Sequence, residues 1–421
     1  MTKEIVIIGG GFAGVNLAKK LSNKEGINVT LVDKNNYNFF PPLLYQVATG
    51  FIEVSNITYP FRKLFSGKKN INFRMASLEK ILPDEKKVIL NNGELTYDEL
   101  VIATGTESNY FGIENIRKNG IPMKTIDDAV TLLNTILQKT EEATLVKDPD
   151  ERAKLSTIVI AGGGPTGVEL AGMLAQIKKN VFAKEYPELA TQNMRIYLVD
   201  ALDVVLGPMS KKSQQYAHDK LVKMGVQIML GKQVKDYVDD TVIFADGTSI
   251  PTKLLIWTAG VAAKTFDGLP EASYGRGKRL LVNEYNQVNN LPNIYAIGDT
   301  CLQTTDKNFD KGHPQLAQVA MQQGKNLAKN FIAMQQNKRL TAFSYHNKGT
   351  MAIIGRSKAV AELPNPKLFL KGFIAFVAWL FIHLISLVNV RNKIKTLLNW
   401  TIAFFSKDPS MRVVVKANIK N

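Results

Sequence analysis

One cysteine, Cys301, and four histidines are all the thiol and imidazole chemistry that 421 residues contain. A lone cysteine cannot close an intrachain disulfide and leaves no CxxC redox pair. So few nitrogen and sulfur ligands also argue against a zinc centre, and no metal site is expected. The opening MTKEIVIIGGG leaves no room for a signal peptide before the first apolar run. The expectation is a protein that stays in the compartment where it is made. Acids are scarce at the far end: residues 338–421 hold Glu362 and Asp408 against fourteen Lys and Arg, a net +12 out of +16 for the chain. Long uncharged apolar stretches are also rare, the main one being 372–390. The remaining composition, 21% charged and 45% hydrophobic, is globular rather than disordered. At roughly 100–200 residues per domain, two or three domains are expected.

Residues 4–8 (EIVII) form a short apolar run that ends at glycines, the signature of a buried parallel strand. A helical pattern follows through Val15, Leu17, Ala18 and Leu21, then a second strand over 29–32 closed by Asp33. The design recurs about 150 residues on: a strand over 157–161, glycines, a helix around 168–177, and a strand over 195–199 closed by Asp200. Two such units predict two doubly wound domains. Further strands are expected at 88–90, 100–103, 242–244, 254–257 and 294–297. Turns are expected at Asn91-Asn92-Gly93 and Ala245-Asp246-Gly247. The polar stretch 140–154, with Pro149, reads as a connection into the second unit, and 178–193 as an extended helix and loop.

The first glycine turn is Gly9-Gly10-Gly11-Phe12-Ala13-Gly14, a GxGxxG between strand and helix. The first glycine makes the turn, the second lets a pyrophosphate approach the backbone, and the third lets helix and strand pack closely. The helix N-terminus offers free N–H groups to phosphate. Asp33, 19 residues after Gly14, stands where a carboxylate can accept from ribose hydroxyls. The second turn, Gly162-Gly163-Gly164-Pro165-Thr166-Gly167, is followed by Asp200 at a longer interval of 33 residues. A carboxylate there repels a 2′-phosphate, which favours NADH over NADPH. Either turn could instead serve only to pack a helix on a sheet.

Three segments complete the pattern: Leu100-Val101-Ile102-Ala103-Thr104-Gly105, Ile256-Trp257-Thr258-Ala259-Gly260, and Asn293-Ile294-Tyr295-Ala296-Ile297-Gly298-Asp299. The ordered set resembles the flavoprotein family with two dinucleotide-binding domains. That resemblance implies FAD in the first site, NADH in the second, Asp299 on the FAD ribityl chain, and a return to the FAD domain near residue 290. Many such proteins use a redox cysteine beside the flavin, yet the stretch 36–50 has none. Cys301 reads as a small buried residue, so thiol chemistry is excluded and electrons must leave FAD for an external acceptor.

Ala317-Gln318-Val319-Ala320-Met321-Gln322-Gln323-Gly324 puts Gln318 and Gln322 at i, i+4, on one helix face, where two amides could meet a carbonyl-bearing ligand. Solvent-facing glutamines would give the same spacing. Together with Gly164-Pro165-Thr166-Gly167-Val168-Glu169-Leu170-Ala171-Gly172, Lys348-Gly349-Thr350 and the apolar tail, this helix resembles type II NADH:quinone oxidoreductases, the alternative, non-proton-pumping NADH dehydrogenases. The resemblance implies that Gly9 to Gly14, Asp33, Lys34, Leu78, Ala103, Thr104, Gly105, Gly298 and Asp299 hold FAD, with Ala317 and Gln318 at its ring. It implies Gly162, Gly164, Gly167, Asp200 and Gly260 for NADH, Glu169 beside the nicotinamide, and Gln318 and Gln322 at the quinone. Lys348 is a weaker candidate near the quinone headgroup. Asp200 stands where this family more often has Glu.

In the tail, 372–390 approaches the ~20 residues needed to span a bilayer. A spanning helix would move either the nucleotide domains or a tail of net +6 across the membrane, and His383, Ser386 and Asn389 interrupt the run. The preferred expectation is an interfacial anchor. In it an apolar helix is followed by an amphipathic one, with Arg391, Lys393 and Lys395 on anionic headgroups and Trp379 and Trp400 at the boundary. Nucleic acid is the poorest partner, since no recognition module is present.

The expected fold is α/β, with two Rossmann-like dinucleotide-binding domains and a C-terminal helical membrane-anchoring segment. The expected divisions are 1–115 with 290–335 for FAD, 116–289 for NADH, and 336–421 for the C-terminal region with anchor helices at about 368–405. The expected function is hydride transfer from NADH to FAD, then two electrons to mena- or ubiquinone, at the cytoplasmic face of the inner membrane, by a homodimer on the family's analogy. The alternatives are an NADH-dependent reductase of a small iron–sulfur protein and a membrane NADH sensor without turnover.

Overall fold

Alternation along the first strand sets the layering of the first unit. In Lys3–Ile8, Ile5 and Ile7 pack with Ala13, Leu17, Leu327 and Phe331 on one face, while Val6 and Ile8 pack with Leu78, Ile81, Val88 and Leu280 on the other. A strand buried on both faces belongs inside a parallel sheet covered by two layers. The structure is a computed structural model and describes residues 2–189, 194–406 and 412–414. It divides into two compact units, Met1–Phe39, Thr58–Glu107 and Val261–Asn347 forming one, and Phe40–Ile57, Ser108–Gly260 and Lys348–Asn421 the other.

In the first unit, strands run in the order Ile294–Ala296, Glu99–Ile102, Lys3–Ile8, Ile27–Asp33, Ile71–Met75, all parallel. Helices Phe12–Leu21 and Ala317–Gln335 cover one face, close enough that a Cβ at Gly324 would lie 2.4 Å from the Ala13 carbonyl oxygen. A hairpin sheet over Leu78–Leu82, Lys87–Leu90 and Gly93–Thr96 joins the other layer. The segment 261–289, expected with the NADH domain, lies in this unit, where strand Arg279–Val282 pairs in parallel with Cys301–Gln303.

The second unit repeats the plan. Its sheet order is Ile121–Pro122, Leu254–Trp257, Thr157–Ala161, Arg195–Val199, Val226–Met229, again parallel. The expected connection at 140–154 is largely helical. Thr140 to Leu145 end the helix Ile126–Leu145, which Thr125 and Asp128 start with a reciprocal capping box. Pro149 opens a helix of its own, Pro149–Leu155, because proline is tolerated in a first turn and Asp148 accepts from the Asp150 N–H. Beyond Ile177 the chain widens into a π-helical turn, Lys178–Phe182; residues 190–193 of the expected loop lie outside the described residues.

The C-terminal part of this unit is a three-stranded antiparallel sheet, Thr350–Gly355, Lys358–Pro364 and Lys367–Lys371, followed by helices Gly372–Ser386 and Val390–Ser406. The uncharged run 372–390 is therefore not one helix. It ends at Ser386, and the Asn389 side chain accepts from the Asn392 N–H as the next helix begins. Fifteen residues rise about 22 Å, and no helix among the described residues is long and apolar enough to cross a membrane. Both helices are two-sided. Phe373, Ile374, Phe381, Ile385, Leu397, Leu398, Ile402 and Phe405 are exposed, whereas Phe376, Trp379, Thr396 and Trp400 are buried. Trp379 and Trp400 thus do not sit at a membrane boundary. Trp379 is fully enclosed and stacks on His383 at 3.8 Å, and the Trp400 indole N–H donates to Gln46 Oε1 at 2.7 Å. Their large apolar rings fill the interior beside Tyr45, and of the two indole N–H groups only that of Trp400 finds a partner among the described residues.

The sheet reaches the helix Pro165–Ile177 through one glycine. A Cβ at Gly172 would lie 1.8 Å from the Ile354 carbonyl oxygen, so alanine there must push the strand off the helix. Gly172→Ala is expected to destabilise this unit by about 1–3 kcal/mol, read as a lower melting midpoint in calorimetry; an unchanged midpoint would show that the contact yields freely.

Candidate dinucleotide sites

Every strand of a parallel sheet ends at the same edge, and binding residues gather there. In the first unit that edge carries the Gly9 turn, Asp33, Ala103 to Gly105, and Gly298 with Asp299. The glycines behave as three different objects. Gly9 has φ +108°, and a Cβ would lie 2.4 Å from the Ala103 carbonyl oxygen. A Cβ on Gly14 would lie 1.9 Å from the Gly9 carbonyl oxygen, so this glycine is required by helix–strand packing. Gly11 is different: its φ of −73° suits any residue, and a Cβ would meet nothing within 4 Å. The chain itself does not require a glycine at position 11. Open space above a helix N-terminus is the shape a pyrophosphate fills.

The second unit repeats these three roles. Gly162 has φ +114° and would clash with Thr258, whose hydroxyl donates to the Ala161 carbonyl at 2.8 Å. A Cβ on Gly167 would lie 1.9 Å from the Gly162 carbonyl oxygen, and one on Gly164 would again meet nothing within 4 Å. Gly260 lies against the Phe111 ring, 2.6 Å from an added Cβ.

The acids act on the glycine turns as well as beside them. Asp33 Oδ2 accepts from the Gly10 N–H at 2.6 Å and Oδ1 from the Asn35 N–H at 2.8 Å. Asp200 Oδ2 accepts from Gly163 at 2.5 Å and Oδ1 from Leu202 at 2.7 Å. Burial pushes the Asp33 carboxyl up, and the two backbone N–H groups work against it. The buried Asn38 adds a bond from its amide to the Gly10 carbonyl. Lys34 is exposed, and Leu78 is buried at the start of the hairpin sheet.

Two buried threonine hydroxyls in the first unit, Thr104 Oγ1 and Thr300 Oγ1, have no hydrogen-bond partner among the described residues. They follow strands Glu99–Ile102 and Ile294–Ala296 at the binding edge. Thr300 was not anticipated. Neither was Gln323, whose Oε1 accepts from the Gly298 N–H at 2.7 Å and so fixes the Gly298-Asp299 turn from the helix behind it. The same side chain donates to Cys301 Sγ at 3.2 Å. Burial pushes this thiol up to about 11, which leaves it protonated and inert.

On the helix Ala317–Gln335, Ala317 and Gln318 form the first turn, half-buried. Gln322 is engaged at both ends of its amide: Nε2 donates to the His346 carbonyl at 2.9 Å and Oε1 accepts from the His346 N–H at 3.1 Å. Lys348 is exposed.

Glu169 lies in the second turn of the helix Pro165–Ile177, away from the helix end where the dipole acts. It is buried, and its carboxyl is pushed up to about 8 by desolvation, with the Ile353 N–H pulling the other way. Beside it runs a polar chain that spacing did not reveal. Gln46 Nε2 donates to the Tyr45 hydroxyl at 3.0 Å, and Trp400 donates to Gln46 Oε1. Burial and the Glu169 charge raise the Tyr45 hydroxyl's pKa. Gln46 and Ile353 face a cavity of about 410 Å³ whose other walls include Phe376, Leu380, Leu384 and Phe404.

Comparison with known proteins accords with this geometry. Residues 3–324 match the family model for pyridine nucleotide-disulphide oxidoreductases, which defines the class, and 347–408 match the NDH2 C-terminal domain. A type II NADH:quinone oxidoreductase, Ndh, of Mycobacterium tuberculosis is 35% identical, over 96% of this chain and 88% of its own. A type II NADH:quinone oxidoreductase of Haemophilus influenzae is 32% identical, over 86% of this chain and 87% of its own. Among solved structures, NDH2 from Plasmodium falciparum in complex with NADH matches at TM-score 0.89 and 20% identity, covering 99% of this chain and 100% of that one. The chain belongs to the type II NADH:quinone oxidoreductase family, whose members are flavin-dependent oxidoreductases.

Glu169 gives this unit a pH signature. Its folded value near 8 lies above the ordinary 4.5, so the native state binds the proton more tightly than the unfolded one. Stability is therefore expected to fall as pH rises from about 4.5 to about 8 and to level off above that. Glu169→Gln is expected to remove this slope from a pH series of melting midpoints; a slope that persists in the variant would assign it elsewhere.

Proposed function

We propose that this chain is an NADH:quinone oxidoreductase in which the first glycine cradle holds FAD and the second holds NADH, without proton pumping. The observation that carries the reading is the duplicated cradle. At Gly11 and Gly164 the chain leaves open space over a helix N-terminus, in a protein whose lone cysteine is buried and protonated. When bound, FAD supplies hydride acceptance from NADH and release of two electrons to a quinone.

The chain's own residues bind and orient. Asp33 and Asp200 hold the two turns, and the free N–H groups of each following helix face phosphate. Thr104 and Thr300 offer hydroxyls to the flavin, Asp299 faces its ribityl chain, and Gln323 keeps that turn in place. The Asp200 charge disfavours a 2′-phosphate, hence NADH. Glu169 holds a proton on its carboxyl at neutral pH, a ready donor for a reaction in which quinone takes up two protons. Gln318 is assigned to the quinone headgroup. Gln322 is assigned to holding the chain at His346, which supports the same end of the helix. The largely apolar cavity in the second unit suits an isoprenoid tail, with Gln46, Gln176, Arg356 and Thr401 as its polar lining.

Attachment is assigned to the exposed apolar faces of helices Gly372–Ser386 and Val390–Ser406, lying in the plane of the interface. With the basic tail and a cytoplasmic substrate, this supports the cytoplasmic face of the inner membrane. A homodimer is proposed on the family's analogy.

Gly11→Ala is expected to fold normally yet carry much less flavin per polypeptide, read from the visible absorbance of purified protein; full flavin content would remove the pyrophosphate from that space. The function itself is tested by anaerobic stopped flow, adding NADH and then a short-chain quinone. Rapid flavin bleaching followed by rapid recovery is expected, with Gln318→Leu slowing recovery about 10–100-fold and leaving bleaching intact. Bleaching without recovery would move the acceptor to an iron–sulfur protein or leave a sensor.

A further inference from the structure

Five lysines from four segments of the second unit gather around Tyr216 and Lys358. On the helix Lys211–Lys223, Tyr216, Lys220 and Lys223 fall on one face at i, i+4 and i+7. Lys220 lies 5.1 Å over the Tyr216 ring and Lys371 5.9 Å over the same ring, which brings the end of strand Lys367–Lys371 to this helix. Lys358 opens the strand Lys358–Pro364, and its ammonium is held below the ordinary value, first by burial and then by Lys220, Lys179 and Lys223. Two residues before it, Arg356 lies 4.4 Å over the Phe404 ring. Neither these five lysines nor Arg356 forms an ion pair among the described residues, although eleven pairs of Lys or Arg with Asp or Glu occur elsewhere.

The C-terminal dipole of a helix accounts for Lys220 and Lys223 in its last turn. It does not account for Lys358 and Lys371 on strands, brought against them at a cost in mutual repulsion. A counter-anion from outside the chain does. The position of the cluster identifies its source. Lys371 directly precedes the helix Gly372–Ser386, whose Phe373, Ile374, Val377 and Phe381 are exposed. Two residues before Lys358 in the chain, Arg356 packs on Phe404 of the helix Val390–Ser406, whose ring stacks on Phe376 of the helix Gly372–Ser386. Cations at the edge of an exposed apolar face stand at the depth of lipid headgroups.

We propose that Lys179, Lys220, Lys223, Lys358 and Lys371 form a binding site for the phosphate headgroup of an anionic phospholipid, whose acyl chains lie along the exposed face of the Gly372–Ser386 helix. The site is distinct from the basic residues Arg391, Lys393 and Lys395 of the last helix. It rests on the reading that this face meets the bilayer.

The test is native mass spectrometry of the full chain in detergent, offered phosphatidylglycerol or phosphatidylcholine. One phosphatidylglycerol adduct is expected on the unaltered protein and on the variant Arg391→Gln/Lys393→Gln/Lys395→Gln. The adduct should be lost from Lys220→Gln/Lys223→Gln/Lys358→Gln and retained when the same three lysines become arginine. At about fivefold per cation, the glutamine variant should also partition on the order of a hundredfold less onto vesicles containing phosphatidylglycerol. An adduct unchanged in the glutamine variant, equal uptake of phosphatidylcholine, or displacement by inorganic phosphate at the lipid's own concentration would each overturn the site. Normal flavin content and normal turnover with short-chain quinone in detergent show that the variant has folded. Absent turnover in the unaltered protein would instead defeat the quinone reductase reading.

Discussion

Two carboxylates hold two backbone turns, and the binding edge of each unit depends on them. A GxGxxG turn must keep its helix N-terminus uncovered, so its own N–H groups need partners that leave the phosphate side free. Asp33 and Asp200 meet this need from the adjacent strand, each accepting from the middle glycine of the turn. A carboxylate accepting backbone N–H bonds is a strong acceptor, and here it also fixes the distance between the first two strands at their ends. Parallel pairing of those strands, through Ile8 with Val32 and Ala161 with Val199, sets the acid's height. The steric demands at Gly9 and Gly14, and at Gly162 and Gly167, then admit one path for the chain between them.

A second constraint shapes the C-terminal part. With Gly172 the helix Pro165–Ile177 can approach strand Thr350–Gly355 to backbone contact, and that closeness buries Glu169 against the Ile353 N–H. Burial without a cation partner is what raises the carboxyl. The packing of a glycine thus sets the protonation of an acid three residues earlier. The helices that follow present one apolar face outward and spend their other face on Trp379, Trp400, Phe376 and Thr396. A single helix of twenty apolar residues would have no such inner face to give.

The architecture was legible because its signals are local. An apolar run, a glycine turn and an acid fall within residues 4–33 in the first unit and 157–200 in the second, and the structure places both sets at the expected strand ends. The tail was legible as apolar and basic, but its two tryptophans were not. Their partners lie far off in the chain: the Gln46 amide meets Trp400 and Tyr45, and the Tyr45 ring packs against Trp379. Hydrophobicity alone cannot separate a membrane-boundary tryptophan from an enclosed one. The pair Gln318 and Gln322 shows the same limit. Helical spacing puts both amides on one face, yet the Gln322 amide is occupied by the backbone at His346, and the neighbouring Gln323 supports the Gly298 turn. The polar stretch 140–154 misled because charge is common to loops and to the outer faces of helices. Caps at Thr125 and Asp148 decide between them, and both can be read from sequence by anyone who looks for them.

The chemistry that remains is divided cleanly between groups that carry charge and groups that withhold it. A thiol held near 11 behind Gln323 cannot form a thiolate adduct at neutral pH, so Cys301 stays out of the electron path although it lies two residues from Asp299. A carboxyl held near 8 is the opposite case, since it can keep or yield a proton over the range in which cells operate. Both shifts come from desolvation. What differs is access: the thiol is enclosed among Gln323, Asn286 and Arg279, whereas Glu169 neighbours Ile353, a wall of the apolar cavity. A family fold that elsewhere supports dithiol chemistry therefore serves here as a frame for cofactors alone. The titratable group that the fold holds protonated in the second unit is Glu169, bonded to the N–H of Ile353, which is a wall of the apolar cavity.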